Sequence, residues 1–249
     1  MAISDEIREQ NKKFKDMTLE QKADYIYTYY KWWIIITLAV ILFITFTIKT
    51  VIRNSKPAYI SATFLNSTVG SSVTDCTLGT EFLTRQGVDL KEDNSDFDYV
   101  TYIDNDYGNQ QAMAGQVKLI SKYSAQMVDI VCGPEDVLLG AADVGGYGNL
   151  EEILPEGMLE KLMSKGYEPF YYTEKIYDED SIPDEDGNRE YTDGETYIGG
   201  LYIDNCKKLI GSASTCVYPV GTGERMVLAI AWNTPNVEHA IQFIEFVTE

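Results

Sequence analysis

The sequence predicts an α/β fold carried behind one apolar helix. Three observations support that expectation. A charge-free apolar run near the N-terminus is long enough to cross a bilayer. Strand-like and helix-like periodicities then alternate, the pattern of a parallel or mixed sheet with crossover helices. The second half is richer in strand formers and closes on an amphipathic helix.

The apolar run comes first. Trp32 to Ile48 carries no charge, and extending it to Ile52 admits only Lys49. At about 1.5 Å per residue, the longer run covers roughly 31 Å, close to the hydrocarbon thickness of a bilayer. Tyr29, Tyr30, Trp32 and Trp33 stand where an aromatic belt belongs, and Lys49 is close enough to the other end to reach headgroups. No small-x-small cleavage pattern and no nearby cysteine follows, so the run reads as an uncleaved signal anchor. Upstream, Thr18 and Gln21 form a capping-box pattern, with Leu19, Ala23 and Ile26 at helical spacing. The expected organisation is a cytoplasmic helical segment over 1–31, a transmembrane helix over 32–52 and an extracytoplasmic domain over 57–249.

Charge sets the expected orientation. Lys12, Lys13, Lys15, Lys22 and Lys31 precede the run, against Lys49, Arg53 and Lys56 after it. The excess of Lys before the run places the N-terminus inside. The chain has a net charge of −19, unevenly spread. Residues 1–56 hold 9 Lys/Arg against 6 Asp/Glu, and residues 57–249 hold 11 against 33. So acidic a domain repels phosphate backbones, which argues against nucleic acid as a partner.

Beyond the anchor, AYISATFLN (58–66) alternates like a strand and TLGTEFLTRQG (77–87) reads as a helix stopped by Gly87. FDYVTYID (97–104) predicts a strand. Residues 109–126 predict a helix that buries Met113, Val117, Ile120 and Tyr123. MVDIVCG (127–133) is a nearly continuous apolar strand, suited to a sheet covered on both faces. A helix with Pro in its first turn spans 134–146, and another over 149–166 is interrupted at Pro155. EPFYYTEKIYD (168–178) and ETYIGGLYID (195–204) flank an acidic turn, MVLAIAWN (226–233) is a strand, and 234–249 is a terminal helix burying Val237, Ala240, Ile241, Ile244 and Val247.

Cys76, Cys132, Cys206 and Cys216 all follow the anchor. Cys206 and Cys216 bracket a Gly- and Ser-containing stretch, and an extracytoplasmic setting makes a disulfide between them the expected pairing. With no C-x-x-C and one histidine, His239, no metal site and no cofactor is expected. Asp184, Asp186 and Asn188 alternate around Gly187. An EF-hand in that register would put Ile182 first and Asp193 twelfth, so the run reads as a solvated turn. Phosphate-cradling glycine motifs and the nucleophile elbow are missing, and no nucleophile–base pair is legible, so no enzyme is expected.

The stretch QVKLISKYSAQMVDIVCGPEDVLLGAADVGGYGNLEEILP, with its strand Val128-Asp129-Ile130-Val131 and the later Asn149-Leu150-Glu151-Glu152-Ile153-Leu154, resembles the extracellular solute-binding proteins of ABC importers. AIAWNTPNVEHAIQFIEFV resembles that family's C-terminal pattern. The likeness covers about half of the outer domain and rests on apolar positions and element order. The domain is about half the length of family members, and a signal anchor replaces their usual lipid anchor. It implies a reduced, membrane-tethered type 2 periplasmic-binding-like domain with a mixed sheet. It implies ligand contacts in the loops Asn66–Ser72, Gly133–Asp136 and Tyr218–Thr222. There Asn66, Ser71, Glu135 and Asp136 would hydrogen-bond a polyol, while Tyr218 and Trp232 would stack on a sugar.

Two functional readings follow. The first is a non-catalytic bacterial receptor at the cell membrane for a small solute such as a sugar or peptide, with an importer permease as partner. The second is an envelope assembly factor with a vestigial cleft, bound to another envelope protein.

Overall fold

The fold is that of a computed structural model, which describes residues 17–54, 57–71, 76–90, 94–104, 109–177, 191–211, 217–218 and 223–249. The chain divides into two units, Met1–Ser55 and Lys56–Glu249.

The first unit contains α1, Leu19–Asn54. Its start is a capping box: Thr18 N–H donates to Gln21 Oε1 at 3.1 Å, and Gln21 N–H donates to Thr18 Oγ1 at 3.4 Å. Within α1, the 23 residues Tyr30–Ile52 are long and apolar enough to cross a membrane. Large side chains from Trp32 to Ile52 are exposed, as a lipid-facing helix requires. The hydroxyls of Thr45, Thr47 and Thr50 donate to the carbonyls of Ile41, Phe43 and Phe46 at 2.8–2.9 Å, so these polar atoms are satisfied within the helix.

In the second unit, the described strands form one sheet in the order β2-β1-β3-β6-β5-β4. They are β1 (Ser61–Phe64), β2 (Asp96–Asp98), β3 (Ile130–Pro134), β4 (Glu168–Tyr177), β5 (Tyr191–Tyr202) and β6 (Met226–Ile230). β1 runs parallel to β2 and β3, whereas β6 is antiparallel to both β3 and β5, and β4 to β5. The sheet is therefore mixed.

Helices cover both faces, which is why β1, β3 and β6 are buried along their whole length. One face packs against α2 (Leu78–Arg85), α5 (Leu150–Ile153), α6 (Met158–Ser164) and α7 (Val237–Thr248). On that face Phe243 of α7 meets Phe82 of α2 edge-on at 5.2 Å. The other face packs against α3 (Gln110–Ser124) and α4 (Glu135–Gly145).

Two expectations are corrected. The strand expected over 97–104 is confined to Asp96–Asp98. Asp98 ends it by accepting from Val100 N–H at 3.2 Å and Thr101 Oγ1 at 2.7 Å, a local turn that competes with the ladder. On α3, Met113, Val117 and Ile120 are exposed, and the buried face is Ala112, Gly115, Leu119 and Tyr123. Gly115 decides this. A Cβ there would lie 1.9 Å from the Tyr102 carbonyl oxygen, so only a side without a side chain can approach so closely.

Candidate functional site

β1 and β3 are parallel; β1 ends at Phe64, opposite Cys132, and β3 runs two residues further to Pro134. Beyond their carboxyl ends lies a cavity of about 240 Å³, lined in part by Asn66, Thr68, Tyr102, Asp104, Asp136 and Tyr218. Ends of parallel strands are where open α/β sheets place ligands, because successive loops diverge there. Asn66, Asp136 and Tyr218 are brought together from three distant segments.

Their roles differ. Asn66 adopts a left-handed φ of 54° and clamps the Ile103 backbone: its Oδ1 accepts from Ile103 N–H at 2.8 Å, and its Nδ2 donates to Ile103 O at 2.9 Å. Tyr218 is 1% exposed, its hydroxyl 2.9 Å from Leu65 O and 2.8 Å from Cys132 O. Burial, with Cys132 beside it, raises that phenol well above its ordinary pKa. Asn66 and Tyr218 therefore frame the cavity. Asp136 is exposed in the first turn of α4, and with Asp104 and Glu224 it makes the rim acidic. Among the described lining residues there is no Lys, Arg or His. A rim of that charge disfavours anions.

The remaining expected residues lie elsewhere. Glu135 accepts a 2.8 Å hydrogen bond from Tyr202 Oη on β5. Burial first, then this carboxylate, pushes the Tyr202 phenol up to about 12. Ser71 closes the 3-10 helix Thr68–Ser71, and its side chain lies outside the described residues. Residues 219–222 and the acidic run 178–190 also lie outside them. Trp232 belongs to a different cavity of about 370 Å³, between the Gly145–Asn149 loop and the β4–β5 hairpin.

That larger cavity contains residues the sequence reading missed. Tyr172 and Tyr197 are paired across the hairpin and meet edge-on at 5.6 Å. Tyr197 Oη donates to Tyr147 O at 2.8 Å. Burial pushes the Tyr197 phenol up to about 12, helped by Tyr172 and the carboxylates of Glu174, Glu195 and Glu152. Tyr172 and Tyr197 face each other only once YYTEK and ETYIG are set in this antiparallel register, which neither segment fixes alone.

The expected Cys206–Cys216 disulfide falls partly outside the described residues. Cys206 is a buried free thiol whose Sγ donates to Val247 O at 3.1 Å, and Cys216 lies outside the described residues. Cys132 is likewise a free thiol on β3, and burial pushes its pKa up, which makes it inert. His239 stacks on Tyr59 at 3.8 Å, with Nδ1 2.6 Å from Tyr59 O, a packing role. No cluster of three metal-binding side chains occurs among the described residues. No protein family, curated protein or solved structure matches the chain.

Proposed function

We propose that this chain is a single-pass membrane protein whose acidic domain lies outside the cell and binds a small solute without catalysis. The observation that carries the reading is the convergence of Asn66, Asp136 and Tyr218 on one cavity at the carboxyl ends of β1 and β3. Asn66 and Tyr218 hold the frame, while Asp136, Asp104 and Thr68 offer the polar contacts. The acidic rim suits neutral polar or cationic solutes. The resemblance to importer solute-binding proteins supports the same reading and suggests a permease as partner.

The test is thermal unfolding of the full-length protein in detergent against sugars, peptides and calcium. Ligand at about 100 times its Kd stabilises the folded state by about 2.7 kcal/mol, a shift of several degrees. Asp136→Ala is expected to abolish the shift. A flat response across the panel would overturn the reading.

One observation favours the second reading, an envelope assembly factor. All described strands belong to one sheet, within one compact unit, Lys56–Glu249. Crosslinking in whole cells would then capture a defined membrane-protein partner, even when no solute shifts the melting temperature.

A further inference from the structure

We infer that the cavity between the Gly145–Asn149 loop and the β4–β5 hairpin binds an organic cation, an ammonium or guanidinium group. Its lining includes Tyr172, Tyr197 and Trp232 together with the exposed Glu152, Glu174 and Glu195. Trp232 is 63% exposed, whereas Tyr172 is 6% exposed and forms the base. Gly146 holds φ +73°, which favours glycine, and the position of its missing Cβ lies 3.6 Å from Trp232 Cδ1 and 3.9 Å from Tyr172 Oη, which puts all three residues at the same end of the cavity.

Hydrogen-bond accounting points to the ligand class. The N–H groups of Gly146 and Gly148 are spent on Ala142 O and Ile230 O, at 3.0 and 2.9 Å. The Tyr197 hydroxyl is spent on Tyr147 O, and that of Tyr147 on Leu138 O at 2.6 Å. The Asn149 amide donates to Glu152 Oε1 at 3.4 Å. Besides the Tyr172 hydroxyl and the Trp232 indole N–H, the cavity is lined by three glutamates and the aromatic side chains of Tyr172, Tyr197 and Trp232. Lys, Arg and His are missing from its described lining. A ligand with donors and positive charge satisfies both, by cation–π contact and by Coulomb attraction. The three glutamates also raise the Tyr197 phenol, which places their fields at the same point.

A free amine and a basic side chain on a peptide share this chemistry. The experiment is titration of the full-length protein in detergent, read by calorimetry and by Trp232 fluorescence. Probes are choline, free arginine and an unstructured Arg-rich peptide, with 3,3-dimethylbutan-1-ol as choline's neutral isostere and glucose as an uncharged control. At least one cation is expected to saturate the site. The neutral isostere should bind at least about tenfold more weakly, and added salt should weaken the cation. Preference for choline or arginine identifies a free solute; preference for the peptide identifies a protein side chain; both support the inference. The exposed pair Glu174→Gln and Glu195→Gln should weaken binding about tenfold or more while leaving the unliganded melting temperature unchanged, so loss of folding does not confuse the result. Trp232→Ala should remove the fluorescence response. Equal binding of isostere and choline, binding of glucose alone, no binding at all, or unchanged affinity in the Gln pair would overturn it. Asp136→Ala should leave cation binding intact, so failure of the carboxyl-end cavity and failure of this site are separable.

Discussion

Asp98 and Asp129 show what single buried carboxylates do for this fold. Burial alone would raise the Asp98 pKa, but Lys118 at 2.6 Å, Thr101 at 2.7 Å and Lys122 at 3.0 Å outweigh it and hold the carboxyl well below the usual range. A carboxyl depressed by folding contributes stability above its unfolded pKa, about 3.9, and loses it as pH falls towards the folded value. Asp98→Asn should therefore cost about 2–3 kcal/mol at neutral pH and flatten the decline of stability below about pH 4. Denaturant melts at two pH values check this, and parallel profiles for both proteins would refute it. Asp129 accepts from Ser61 N–H at 2.6 Å and Asn236 Nδ2 at 3.2 Å, and also from Thr234 Oγ1. Asp129→Ala strands three donors, at an expected cost of about 3 kcal/mol read from the urea midpoint. The strand around Asp129 was legible in its apolar run. Its partners were not, because Thr234 and Asn236 lie 105 and 107 residues away.

At the scale of elements, helices and strands with strong periodicity and clear stops matched expectation. Pro155 does separate α5 from α6, and the capping box does open α1. What periodicity did not supply was which face of α3 packs. Counting large apolar residues favoured Met113, Val117 and Ile120, whereas close approach of the Tyr102 backbone selects the side holding Gly115. Gly115→Ala tests this. Alanine improves intrinsic helix propensity by about 1 kcal/mol, yet its Cβ must push the Tyr102 backbone aside. The expected result is a net lower melting temperature. A rise would mean the α3 contact is looser than described. Site residues behaved similarly. The strand-end loops were implied by the family resemblance, and of their residues Asn66, Asp136 and Tyr218 line one cavity. Tyr172, Glu174, Glu195 and Tyr197 depend on hairpin register across residues 178–190, which no local pattern fixes.

For the whole molecule, composition and the anchor make one joint claim. Residues 57–249 hold three times as many acidic as basic residues, while the segment before them is net basic. Helix α1 separates the two charge regimes with a 23-residue apolar stretch. The proposed orientation, with the basic flank at the inner face and the acidic domain outside, is the one that the positive-inside bias favours. Three measurements test it together. The protein should resist extraction at high pH, an N-terminal tag should survive protease added to whole cells, and a C-terminal tag should be removed. The opposite tag pattern would reverse the orientation, and release at high pH would refute the span. Replacing Arg8, Lys12, Lys13 and Lys15 by Gln leaves two basic residues before the run, Lys22 and Lys31, against three after it. That change should send a measurable share of molecules in the inverted sense. The domain would then lie in the cytoplasm, where neither cavity meets an external solute, so orientation and binding of solute added to intact cells should be lost in the same proportion, while binding in detergent is unchanged.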